Sequence, residues 1–290
     1  MGAVDFVLQM QESRVIAEFD DKPANVLWVT MRRSLESRNQ YFSIPLLNDM
    51  RDLLQLLRNN SVTWTADGAV KPVHYAVLKS EHPDYFSLGG DLGHFHACIQ
   101  QRDSEALRAY SMQCADMIYE WATVLNNQAT TIALVQGRAL GGGFEAALSA
   151  DFLIAEEHSE FGFPEILFGL FPCTGGMSLL ARRVGVHQAE RMMTNGRIYS
   201  AAELKEMGIV DEVCPSGDGI AATEALIANH AKRRTARLML QRGRHRVAPL
   251  DYEELKTVVD EWVETAMMLP NDQLRAMEML SQMQRGSIAR

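Results

Sequence analysis

An α/β fold is predicted by three features of this 290-residue chain. Short β-prone apolar runs recur along its first two thirds, segments of helical period separate them, and nearly everything past Pro215 has helical spacing. The composition is ordinary for a globular protein, 47% hydrophobic and 22% charged, and the length allows one large domain or two. The expected division is a mixed core over residues 1–215 followed by a helical region over 216–290.

Residues 14–20 and 26–31 are β-prone and joined by the turn-like D-K-P-A-N, which predicts an antiparallel opening pair. Ser43 is placed to cap a helix with Pro45 in its first turn, and Leu46, Leu47, Met50, Leu53, Leu54 and Leu57 recur at helical spacing. Residues 59–68 read as a loop. A short buried strand over 75–78 then delivers the chain to F-S-L-G-G-D-L, residues 86–92. Residues 104–125 are helical, with Leu107, Tyr110, Met117, Ile118, Trp121 and Leu125 on the inner side. The run 131–135 meets Gly137, the Gly141-Gly142-Gly143 cluster and small residues up to Ala150, a pattern of strand, glycine turn and buried helix. Residues 176–184 and 187–194 form two short helical patterns parted at Gly185. S-A-A-E at 200–203 is a capping box for a helix that Gly208 stops before I-V-D-E-V.

The net charge of −9 disfavours nonspecific nucleic-acid binding, which needs a broad basic surface. With no apolar run of about eighteen residues and no basic-then-apolar leader, a cytoplasmic protein without a membrane span is expected. Cys98, Cys114, Cys173 and Cys214 are spread without a C-x-x-C, so they read as reduced, mostly buried thiols. G-x-S-x-G, G-x-G-x-x-G and the P-loop pattern are absent, and no cofactor is expected. His94 and His96 lack companion ligands, so no metal is expected either.

The glycine turn exposes backbone N–H groups at a helix start, where the dipole favours a phosphate or a developing negative oxygen. Glu145 follows the glycines and Glu165 comes twenty residues later, in F-G-F-P-E-I. Taken singly, Glu145 fits a helix-start carboxylate, Glu165 a surface acid, and Gly89-Gly90 a tight turn. Taken together, two glutamates in one apolar site cannot both ionise cheaply, so their titrations couple and at least one pKa rises. One becomes a base and the other an acid. Glu156, Glu157 and Glu160 read as solvated.

A-L-G-G-G-F-E, then F-G-F-P-E-I-L, with F-S-L-G-G-D-L upstream, resembles the crotonase (enoyl-CoA hydratase/isomerase) superfamily over roughly residues 10–290. The resemblance implies repeated ββα turns forming a spiral core, with a C-terminal helical region around the site and trimers or hexamers. It implies Glu145 and Glu165 as catalytic residues and the Gly90 and Gly142 N–H groups as the oxyanion hole. Within the superfamily, A-L-V-Q-G-R-A-L-G-G-G-F-E-A-A-L-S, I-A-E-E, E-I-L-F-G-L-F-P and E-W-V-E-T-A-M at 261–267 resemble the diffusible signal factor synthases. Two positions depart from common hydratases: Cys173 stands where many carry glycine, and Gly90 where they often carry alanine.

That subgroup resemblance implies dehydration of a 3-hydroxyacyl thioester on acyl carrier protein, then attack by water to release a cis-2-enoic acid signal. It also implies an acyl site that includes Trp262, Leu280 and Met267, although Met267, Met268 and Met277 fit ordinary helix packing as well. Lys232, Arg233, Arg234, Arg237, Arg242, Arg244 and Arg246 form a basic segment suited to an acidic carrier, to a CoA phosphate, or to a solvated helix face. Two other functions remain open: an acyl-CoA hydratase or isomerase of fatty-acid breakdown, and a noncatalytic regulator that binds a sensor kinase.

Overall fold

The structure is a computed structural model that describes residues 13–33, 38–123, 125 and 128–286. The outer ends of both expected regions, 1–12 and 287–290, lie outside the described residues. β1 (Val15–Asp20) and β2 (Val26–Met31) pair antiparallel, Val15 opposite Met31. In α1 (Ile44–Asn59) the Ser43 side chain accepts from the Leu46 amide, and the six apolar residues picked out by spacing are all buried.

The expected loop over 59–68 is corrected by a hairpin, β3 (Thr63–Ala66) with β4 (Ala69–Pro72). Its turn is Asp67-Gly68, both at positive φ (50° and 73°), the two-residue geometry that matches the strand twist. Neither strand buries a residue, so no hydrophobic alternation marks them.

Three successive turns then build the spiral. The first is β5 (Tyr75–Ser80), β6 (Tyr85–Ser87), α2 (Leu92–Gln101) and α3 (Ser104–Thr123). The second is β7 (Thr130–Val135), β8 (Arg138–Leu140) and α4 (Gly142–Leu148). The third is β9 (Phe152–Glu156), β10 (Glu160–Gly162), a 3₁₀ turn (Glu165–Phe168), α5 (Gly176–Val184) and α6 (Val186–Thr194). β11 (Ile198–Ser200), α7 (Ala201–Glu206) and β12 (Glu212–Cys214) follow. Each turn gives its first strand to a six-stranded sheet, β1-β2-β5-β7-β9-β12, and its second to a four-stranded sheet, β11-β10-β8-β6. β7 is buried at all six positions, as its unbroken apolar character requires of a central parallel strand. β8 interrupts what the sequence presents as a simple glycine turn, because three residues are too few to display a period. The Ser200–Glu203 capping box is formed in both directions.

The chain ends in α8 (Gly219–Ala231), α9 (Arg234–Val247), α10 (Tyr252–Met267) and α11 (Asn271–Gln284). α10 packs on α3, and α11 on α2 and the 3₁₀ turn. One hydrophobic core runs through both regions, with Leu255, Val259, Trp262 and Met277 continuous with the strand residues. No helix among the described residues is long and apolar enough to cross a membrane.

One charge expectation is corrected. Glu156 is buried rather than solvated, because its Oε1 accepts from Gln136 Nε2 at 2.7 Å and from the Gly219 amide at 3.1 Å. The basic segment lies mostly on α9, where part of it is used internally. Arg244 and His245 donate to Asp151 at 2.5 and 2.8 Å, and Arg234 reaches the Gln128 carbonyl. Burial alone would push the Asp151 carboxyl up, but the donors from His245, Thr131 and Arg244 more than offset it and hold its pKa below the usual range.

Candidate active site

The second spiral turn places Glu145. The small residues of α4 let that helix sink into the core, and Glu145 in its first turn is 2% exposed. Its Oε1 accepts from the Thr174 and Gly176 amides at 2.9 and 2.7 Å, and its Oε2 from the Thr174 hydroxyl at 2.5 Å. Gly176 is the first residue of α5, whose N-cap, Gly175, supplies no side-chain cap. The Glu145 carboxylate therefore serves as that helix's anionic cap. Burial raises its pKa, and the three donors oppose the rise.

Glu165 opens the 3₁₀ turn behind Pro164. Its side chain borders the cavity, yet Oε2 is sealed from solvent and has no hydrogen-bond partner among the described residues. Burial first, and the nearby Glu145 charge second, push its pKa up to about 8. Gly141 keeps this place open. With φ at +52°, it would set an added Cβ 2.5 Å from Glu165 Oε1, so only glycine suits it both in conformation and in space.

Gly90 and Gly142 come together between these carboxylates. A Cβ built on Gly142 would lie 3.5 Å from the Gly90 nitrogen, and one on Gly89 would lie 2.8 Å from the Gly142 nitrogen. Gly142 is the first residue of α4, and its amide has no acceptor among the described residues. In the other loop, the amides of Leu88, Gly89, Asp91, Leu92, Gly93 and His94 all have acceptors, and that of Gly90 has none among the described residues. Its direction follows from its neighbour. The Gly89 carbonyl accepts from the Phe42 amide at 2.9 Å, so the trans peptide aims the Gly90 N–H the opposite way.

Both glutamates and both glycines border one cavity of about 990 Å³. Trp262 and Leu280 line it, Trp262 packing edge-on against Phe95 with ring centres 4.9 Å apart. Met267 does not line it. That residue sits at the end of α10 beside a shallow surface depression with Ser104 and Arg108, because the helix face that carries Trp262 turns it outward. Met268 is exposed and Met277 is core, whereas Met279 and Met283, which spacing did not single out, do line the cavity. Cys114 and Cys173 also line it as protonated thiols; burial pushes Cys114 up to about 12 and raises Cys173 as well. The cations at the cavity are Arg33, Arg38 and Arg138, with none from the α9 segment. His94 and His96 lie on α2, and no group of three metal-ligating side chains occurs among the described residues.

Sequence reasoning missed Thr174, whose only signal is its place in C-T-G-G before a helix start, and Tyr110, whose hydroxyl takes the Asp91 amide at 2.8 Å.

The sequence profile described as enoyl-CoA hydratase/isomerase matches residues 21–280. A mitochondrial enoyl-CoA hydratase of Pongo abelii is 31% identical over 172 residues, 58% of this chain and 59% of that protein. The fatty acid oxidation complex subunit alpha of Vibrio cholerae is 26% identical over 166 residues, 57% of this chain and 23% of that protein. The matched segment thus spans less than two thirds of these curated relatives. Among solved structures, an enoyl-CoA hydratase from Bacillus halodurans superposes with a TM-score of 0.74 at 21% identity, covering 92% of this chain and 100% of the other. Human mitochondrial delta3-delta2-enoyl-CoA isomerase gives 0.75 at 20% identity, covering 95% and 100%. At such identities the structural likeness speaks for the fold.

Proposed function

Because the chain belongs to the enoyl-CoA hydratase/isomerase family, we propose that it catalyses hydratase/isomerase-type chemistry on an acyl thioester. The observation that carries this reading is the closeness of Gly90 and Gly142, whose amides have no acceptor among the described residues, in one cavity bordered by a buried and a half-buried glutamate. The thioester oxygen of a 2-enoyl substrate would accept from both amides, which stabilise it best as negative charge develops. Glu145, whose carboxylate is held by three donors, would take a proton from water as the water oxygen bonds to C3. Glu165, protonated near neutral pH, gives its proton to C2. The reverse sequence dehydrates a 3-hydroxyacyl thioester.

The test is hydration of 2-enoyl-CoA by the pure protein, followed through loss of the conjugated thioester absorbance. Turnover that Glu145→Gln and Glu165→Gln each remove supports the reading; full turnover in either correctly folded variant overturns it.

A second reading couples dehydration on acyl carrier protein to hydrolysis, releasing a cis-2-enoic acid signal. What favours it is the E-W-V-E-T-A-M segment, whose Trp262 forms the cavity wall together with Leu280. The same two amides would hold the tetrahedral oxyanion of hydrolysis. Incubation with a 3-hydroxyacyl carrier protein, with any free acid identified by mass and double-bond geometry, decides it. Absence of free acid alongside active hydration leaves the first reading alone.

A further inference from the structure

Gly90 is a poor choice for a fixed donor on its own, because glycine is the most permissive residue in the backbone. A Cβ there would meet Phe95 Cζ at 2.6 Å, so the stiffness that alanine brings is excluded. The Phe42 amide holds the carbonyl of the peptide that carries this N–H, and a second group must fix the peptide that follows it.

That group is Gln284, on the last turn of α11 and 4% exposed. Its Nε2 donates to the Gly90 carbonyl at 2.8 Å and, more loosely, to the Leu88 carbonyl at 3.5 Å. Its Oε1 accepts from the Leu92 amide at 3.1 Å. Only one orientation of the side-chain amide satisfies this set. On the far side of the same peptide, the Asp91 amide donates to Tyr110 OH, which donates to the Phe42 carbonyl at 2.5 Å. The Gly90–Asp91 peptide is therefore gripped at its carbonyl by α11 and at its N–H by α3. Nearby, Asn39 Nδ2 donates to the Met283 carbonyl at 2.9 Å, and Arg285 lies 3.7 Å from Asp91, so the helix end is fastened to this loop at several points.

The same helix lines the cavity with Met279, Leu280 and Met283. We propose that Gln284 is a positioning residue for the oxyanion donor, and that through it an alkyl chain packed against α11 improves the alignment of the Gly90 N–H. Binding energy from the unreactive end of the substrate is thereby expressed in kcat. This rests on the reading of Gly90 as a donor given above.

The decisive variants are Gln284→Met, which keeps length and loses the hydrogen bonds, and Gln284→Glu, which mimics the native amide only while protonated. With 2-enoyl-CoA, Gln284→Met should lower kcat by about tenfold to a hundredfold with KM nearly unchanged, less than the loss of a whole oxyanion donor. The loss should be greater on 2-decenoyl-CoA than on crotonyl-CoA. Binding of the acetoacetyl-CoA enolate, read by its absorbance, should weaken by a similar factor, while affinity for neutral butyryl-CoA stays constant. Gln284→Glu should recover activity as pH falls, a limb that Gln284→Met lacks. Unchanged kcat and enolate binding in Gln284→Met, or equal loss of butyryl-CoA affinity, would overturn the positioning role; equal losses on the two enoyl substrates would overturn the coupling. Glu145→Gln in the same assays separates the two failures, since turnover surviving there sinks the hydratase reading instead. The enolate measurement needs no turnover and decides the positioning role in either case.

Discussion

Glu145 and Glu165 face one cavity and are held in opposite ways. Around Glu145, two amides and a hydroxyl account for the carboxylate, and a helix start adds its dipole. Around Glu165, one carboxyl oxygen is sealed without any donor, and the neighbouring negative charge makes ionisation harder still. Burial pushes both acids upward, but the donors oppose the rise at Glu145, whereas Glu165, with Oε2 unsupported and the Glu145 charge nearby, is pushed up to about 8. Glu145 is buried and Glu165 half-buried with one oxygen sealed, so most of the difference lies in the partners.

The most severe way to break the comparison is to remove either acid. Glu145→Gln and Glu165→Gln should each cost about 10²–10⁴-fold in kcat on 2-enoyl-CoA, the usual range for a lost general acid or base. They should differ in stability, since Glu145 leaves amides short of a charged acceptor while Glu165 leaves nothing unpaired. Gly141→Ala comes next. Its methyl, forced onto a backbone at φ +52° and against Glu165, should cost about a hundredfold by displacing the acid. On the proposed mechanism the acidic limb of the pH profile belongs to Glu145 and should stay where it is.

Thr174→Val removes one of the Glu145 donors and should reduce kcat/KM by about tenfold while moving that acidic limb upward, since the charged form loses support. A limb that moves down would contradict the assignment. The smallest effect is on folding. Glu165 titrates near 4.5 when unfolded and about 8 when folded, so the native state holds the extra proton between these values. Stability should therefore fall as pH rises from about 4.5 to beyond 8, and Glu165→Gln should flatten that slope in thermal melts. A steeper slope in the variant would show that other groups set it.

Much of this was legible in the sequence wherever one face of an element is apolar. The α1 stripe, the parting of α5 from α6 at Gly185 and the Ser200–Glu203 box are read directly from spacing and caps. The four site positions follow from motifs, and the cavity contains all of them. The β3–β4 hairpin escaped because its stability signal is the Asp67-Gly68 turn and its strands are exposed. Trp262 and Leu280 reach the cavity but Met267 does not, since helical spacing gives a face without saying which wall it meets. Tyr110 and Gln284 escaped for another reason: each acts through a hydrogen bond to a distant backbone group, and no local pattern records such a partner.

Asp151 has a consequence for the architecture as a whole. This buried carboxylate anchors Thr131 at the start of the central strand and draws in Arg244 and His245 from the C-terminal region. Shortening the protein behind α8 would strip away both of these donors and strand a buried carboxylate just ahead of β9. The helical region thus works as a keystone: a clipped variant is expected to fail as a fold before it can be assayed as an uncovered enzyme.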